Sequence, residues 1–134
     1  MITPQDLLKK ASDLYNSFSD PSIVIDCVEV EYRNCARMAY YVMLHVGMEI
    51  TDRENPEISM DGVIGTHQKV IRKLLALESV FATDLANDLL SCRGIRVDAD
   101  YKLSKPFSQN SAYKVLRKAE KTIQKLSDAY STGT

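Results

Sequence analysis

Four polar side chains recur every fourth residue within one apolar stretch: Arg33, Arg37, Tyr41 and His45. Steps of four keep side chains on one slowly drifting face of a helix. Two guanidiniums, a phenol and an imidazole on such a face are costly to bury unpaired. The planar fork of arginine matches phosphate oxygens, so this stripe could line an anion pocket. The alternative is that the arginines pair with carboxylates of neighbouring helices and the rings serve as amphipathic core. A second constellation is CRGIRVDADY, Cys92 to Tyr101. Arg93 and Arg96 lie nearly one turn apart and project toward one region. Arg96 and Asp100 are spaced for an intrahelical ion pair, worth only ~0.3–0.5 kcal/mol when exposed. Tyr101 falls where that helix should end. A third is the row Lys114, Lys118, Lys121 and Lys125 with Arg117 beside it. Such a row can hold a polyanion through its phosphates; it is also what any solvated helix face looks like.

The only histidines are His45 and His67, far apart in sequence, and no HxxxH or HExxH pair is present. Nothing therefore points to a metal site. The chain also lacks a P-loop, GxGxxG, GxSxG or a paired-carboxylate motif, so no cofactor is implied. Cys27, Cys35 and Cys92 are an odd set without a CxxC pair. They read as small buried hydrophobes of a reducing compartment, not as a disulfide framework.

The elements that must position these groups are helices. Thr3, Pro4 and Asp6 form a helix start, and Leu7, Leu8, Ala11, Leu14, Tyr15 and Phe18 continue it at helical spacing to about residue 19. SDPS breaks it. A second helix is expected from about Ile23 to Ile50, with Val28, Cys35, Ala39, Val42 and Val46 as its stripe and Met38, Met43 and Leu44 widening the buried surface. That makes it the central helix. Residues 51–65 form a polar loop. A third helix starts at Thr66, a candidate N-cap, and a fourth runs from about Thr83 to Asp100. Gly94 interrupts the fourth at a cost of roughly 1 kcal/mol, which suggests a packing reason for it. After KLSKPFS, a fifth helix spans about Gln109 to Tyr130, with Ala112, Val115, Ala119, Ile123, Leu126 and Tyr130 on its apolar side. No segment alternates in the manner of a strand. Short connections between long amphipathic helices predict one all-α domain, an up-and-down antiparallel bundle of four to five helices.

Composition agrees. The chain has 134 residues, 45% hydrophobic and 26% charged, with a net charge of −1. This is ordinary globular composition, neither disordered nor collagenous. No uncharged apolar run approaches the ~18 residues of a membrane span, and MITPQDLLKK lacks a secretory core. A cytoplasmic location without membrane contact is expected. Charge is segregated: residues 1–101 hold 10 basic and 16 acidic side chains, residues 102–134 hold 7 and 2. The whole chain is not a histone-like polycation, but its C-terminal part carries a basic face.

The run from Tyr32 to Val46, YRNCARMAYYVMLHV, then THQKVIRKLL from Thr66, then RVDADY from Arg96, then a closing helix with Ala112, Ala119 and Glu120, resembles the HEPN superfamily. It is most similar to the small single-domain prokaryotic branch, which reads sRAYYamFH, sHxgvi and RxxADY in its second, third and fourth helices. The resemblance covers about residues 5–128 in the same order. It implies a helical bundle that is usually dimeric. Many such proteins are metal-independent endoribonucleases of toxin–antitoxin, phage-defence or RNA-processing systems. Others only bind RNA or nucleotides, or act as assembly partners. In the nucleases an R-x4–6-H motif supplies an arginine for the scissile phosphate and a histidine for proton transfer. Here the pattern reads R-x4-Y, ending in Tyr101, and a phenol of ordinary pKa near 10 shuttles protons poorly at neutral pH.

Two expectations follow. In the first, Arg96 contacts RNA phosphate, Tyr101 and His67 assist catalysis, and Arg33, Arg37, Tyr41, His45, Arg93, Asp100, Lys118 and Lys121 contribute to RNA or phosphate binding. A homodimer, and a nucleotidyltransferase-type antitoxin or defence-complex partner, belong to that expectation. In the second, the protein is a non-catalytic dimeric binding or assembly module, and Arg96, Asp100 and Tyr101 form a structural knot.

Overall fold

The computed structural model describes residues 1–131, with side chains described through Ala129. It holds five helices and, among the described residues, no strand: α1 (Pro4–Ser19), α2 (Val28–Glu54), α3 (Thr66–Ala76), α4 (Val80–Tyr101) and α5 (Gln109–Ser131).

Local chemistry explains the boundaries. The Thr3 side chain accepts from the Asp6 amide, and the Asp6 carboxylate accepts from the Thr3 amide at 2.8 Å, closing a capping box around Pro4. Helix α2 begins at Val28, five residues later than the apolar pattern suggests. The Asp20 carboxylate takes the amide and hydroxyl of Ser22, which ties residues 20–23 into a turn beside Pro21. The β-branched run Ile23–Val24–Ile25 then stays outside the helix. At its far end Asn55 adopts φ 44°, and its amide caps Thr51 O. Helix α3 starts at Thr66, but its N-cap is Gly65 at φ 86°. Helix α4 starts at Val80 because Ser79 Oγ accepts from the Ala82 amide at 3.0 Å.

The four long helices alternate in direction. Phe18 meets Tyr32 across α1 and α2, Arg33 and Gly47 of α2 meet Ala99 and Leu85 of α4, and Lys118 and Lys125 of α5 meet Asp88 and Asp84. Helix α3 instead runs parallel to α2, since Tyr40 faces His67 while Gly47 faces Leu74. The connection 55–65 makes this geometry available. Eleven residues reach up to ~36 Å, enough to travel back along the last four turns of α2.

Helix α2 is central, as its stripe predicts. Tyr40, Val42, Met43, Val46 and Cys35 are fully buried, packed against Leu74, Leu89, Cys92 and Val115 of the other helices. Ala112, Val115 and Ala119 of α5 complete this core, with Ile123 and Leu126 packed at its edge. Tyr130, expected on the same side, lies outside the described side chains. Cys35 and Cys92 are buried hydrophobes, and burial pushes the Cys35 thiol up to about 12. Cys27 departs from expectation: it precedes α2 as an exposed N-cap. Gly94 also departs, because a Cβ there would meet nothing within 4 Å. No helix of the described residues is long and apolar enough to cross a membrane.

Candidate functional site

The centre of the polar cluster is Arg96, one turn before the end of α4 and only 8% exposed. Its Nη1 donates to Asp100 Oδ2 at 3.0 Å. The other carboxylate oxygen is taken by Nε of Arg37, which reaches across from α2. Antiparallel packing of α2 on α4 thus places two guanidiniums on one carboxylate. The guanidinium carbon of Arg96 also lies 5.6 Å from the Tyr40 ring centre and 6.0 Å from that of Tyr101. Aromatic faces favour a cation and reduce the cost of its burial. Burial works against the charge of Arg96, but the Asp100 hydrogen bond and the neighbouring phenols outweigh it, so its pKa moves up. Among the described residues its Nε is buried without a hydrogen-bond partner.

Helix α3 brings the imidazole. Nδ1 of His67 lies 2.8 Å from Tyr40 Oη, and the two rings stack at 5.4 Å with an interplanar angle of 27°. Burial, then the charges of Arg96 and Arg93, hold His67 below its ordinary 6.5. Burial likewise raises the Tyr40 phenol, against the pull of the same two arginines. Tyr40 therefore keeps its proton. A buried hydroxyl proton needs an acceptor, and Nδ1 of His67 stands within hydrogen-bond reach of it. We assign the tautomer on this network: Nδ1 accepts from Tyr40, and Nε2 carries the proton. The imidazole then faces outward as a neutral donor.

The structure thus brings together Arg37, Tyr41, His67, Arg93, Arg96, Asp100 and Tyr101. Tyr41 joins through its edge-on contact with Tyr40 at 6.0 Å, and Tyr101 is 72% exposed at the rim. Arg33 does something else. Its Nη1 donates to Asp98 O at 2.7 Å and Ala99 O at 3.2 Å, and its Nη2 to Lys105 O at 2.6 Å and Lys102 O at 3.2 Å. Together with Glu29, whose carboxylate accepts from the Phe107 amide at 2.6 Å, it clamps the orphan carbonyls at the end of α4 and the following loop. His45 sits a turn beyond Tyr41 beside a separate hollow of about 240 Å3 shared with Glu49, Asp52 and Leu7. Lys118 and Lys121 pair with Asp88 at 3.1 and 2.9 Å. Asp88 lies eight residues before Arg96, about 12 Å along α4.

Sequence reasoning missed Tyr40. Its signal was present: a tyrosine at a core position of the central helix must find a partner for its hydroxyl. Among the described residues no group of three His, Cys, Asp or Glu side chains is arranged to hold a metal ion.

The chemistry available is anion recognition. Two guanidiniums, Arg37 and Arg96, share the Asp100 carboxylate, while Arg93 and Arg96 both act on the imidazole of His67, and the outer members, Arg37, Arg93, His67 and Tyr101, are at least partly open to water. No family model, curated protein or solved structure matches this chain.

Proposed function

We propose that this chain is a HEPN-type RNA-associated protein that receives an RNA phosphate at the α2–α3–α4 cluster. One observation carries the reading: Arg37 and Arg96 share the carboxylate of Asp100, and Arg96 together with Arg93 also bears on the half-buried imidazole of His67. Arg93 and the Nε2–H of His67 offer the outward donors, and Arg96 supplies a fixed buried charge beneath them. Charge-assisted bonds of this kind are the stronger hydrogen bonds of proteins. Fixed positive charge in a partly dry site also favours a phosphorane-like transition state.

This arrangement supports binding more than cleavage. With Nδ1 engaged by Tyr40 and the ring held neutral, His67 offers a phosphate a hydrogen bond rather than a proton, while attack by a ribose 2′-OH also needs a base. Tyr101 is the remaining candidate for that step. Dimer formation, and association with a nucleotidyltransferase-type antitoxin or defence-complex partner, belong to the same family reading.

A second reading rests on a different observation. Arg96 is nearly sealed and locked to Asp100, as a purely structural knot would be. The protein would then be a non-catalytic assembly module. One set of measurements separates them: binding of a fluorescein-labelled single-stranded RNA, cleavage of total RNA with and without divalent metal, and melting temperature. The RNA reading expects Arg93→Ala to melt like wild type, to bind about tenfold more weakly and to lower the salt slope by about one. Absence of RNA binding by the wild type, with Arg96→Ala unfolded, establishes the structural reading instead.

A further inference from the structure

We propose that the open groove between α4 and α5 is a docking site for an acidic amphipathic helix of a partner protein. The groove encloses about 640 Å3 and exists because α4 and α5 pack lightly against each other. Ile95 of α4 and Tyr113 of α5 form its apolar floor, and Tyr113 remains 43% exposed although its ring reaches Tyr15. Lys114, Arg117, Lys118 and Lys121 form one wall. The surface is therefore apolar below and basic along one side, the complement of a helix with an apolar stripe and a glutamate-rich flank.

Two features favour a helix over a nucleic-acid strand. Lys118 and Lys121 are already drawn to Asp88, while Lys114 makes no ion pair among the described residues and Arg117 only a 3.8 Å contact with Glu120. A strand needs a run of unneutralised cations and several stacking rings; this groove offers two such cations and one ring. On α4, the residue next to the groove's Ile95 carries no side chain. Gly94 stands on the exposed side of α4 with open space where a Cβ would be, one turn from Leu90, which is half exposed. A mid-helix glycine weakens the helix, and this one relieves no contact among the described residues. It does let another backbone come close. This site is independent of the arginine cluster.

The test is fluorescence anisotropy with a labelled synthetic helix of about 20 residues, leucine at i, i+3, i+4 and i+7 and glutamate along one flank, against a scrambled peptide of equal composition. Wild type is expected to bind the patterned helix at least tenfold more tightly than the scrambled one. Lys114→Glu/Arg117→Glu should lose that binding by tenfold or more. Gly94→Gln should lose it while circular dichroism shows an unchanged fold. Gly94→Ala, which cannot damage the helix, should melt higher and still bind more weakly. Equal binding of the scrambled peptide, or no binding of either, overturns the proposal. So does loss of a single-stranded oligonucleotide in the double charge reversal, which would make the groove a nucleic-acid path. Concentration-dependent mass in light scattering that Gly94→Gln abolishes would make the occupant a second copy.

Discussion

Tyr40 and His67 are joined at 2.8 Å between Oη and Nδ1, a bond that ties the central helix to the start of the shortest one. It fixes the ring orientation and the tautomer of the imidazole at once. Tyr40→Phe keeps the buried ring and removes only the hydroxyl. Its expected cost is about 1 kcal/mol, the usual net value of one such bond. The bond stabilises neutral His67, so its loss should let the imidazole titrate closer to 6.5. An NMR titration of the His67 ring protons reads this directly. An unchanged titration would mean that the hydroxyl does not select the tautomer.

The same imidazole should leave a trace in the pH dependence of stability. Burial and the arginines hold the folded value below 6.5, while the unfolded chain titrates near 6.5. Well above that pH the ring is neutral in both states, and its full contribution is present. As pH falls through 6.5, the unfolded chain takes up the proton first. Stability therefore declines until the folded ring also protonates. Denaturant melts of wild type and His67→Gln across pH 5–7.5 should differ in slope, with the variant flatter. Parallel curves would remove His67 from the linkage.

Asp100 separates the buried arginine from the exposed one. Asp100→Ala strands the nearly sealed Arg96 without its carboxylate and is expected to cost about 3–5 kcal/mol. Arg37→Ala removes a half-exposed partner of the same carboxylate and should cost under about 1 kcal/mol. Urea unfolding of the two variants tests this asymmetry. Similar losses would show that Arg37 and not Arg96 carries the pair.

Much of this was written in the residues. Helix α1 is announced by Thr3, Pro4 and Asp6 because a capping box is a local device. The stripe of α2 gave its central position because burial and helical period coincide there. The start of α2 was harder, since Ile23–Cys27 carries an apolar pattern that a turn at Asp20 overrides. The site divides the same way. Arg96 and Asp100 are one turn apart and could be paired by counting, whereas the bridge to Arg37 depends on the register of α2 against α4. His67 reaches Tyr40 because the 55–65 connection returns α3 alongside α2, and no periodicity encodes that return. Arg33 shows the limit most clearly: four steps from Arg37 on the same stripe, it is claimed by backbone carbonyls that only the folded end of α4 presents.

Two helical glycines should respond oppositely to the same change. At Gly47 an added Cβ would lie 2.8 Å from Val70 Cγ1 and 3.3 Å from Leu74 Cδ1. Both neighbours are buried, and valine has little rotamer freedom to yield, so α3 must move away from α2. Overpacking of this kind costs about 1–3 kcal/mol, more than the roughly 1 kcal/mol gained from helix propensity. Gly47→Ala is thus expected to destabilise, and Val70→Ala in the same chain should recover part of the loss by making room. At Gly94 nothing stands within 4 Å, and the propensity gain is unopposed. Gly94→Ala should stabilise by up to about 1 kcal/mol, a rise of roughly 4 °C in Tm for a domain of this size. Thermal melts of the three variants decide the matter: a Gly47→Ala chain as stable as wild type would mean that α3 is held less tightly than the Tyr40–His67 bond implies.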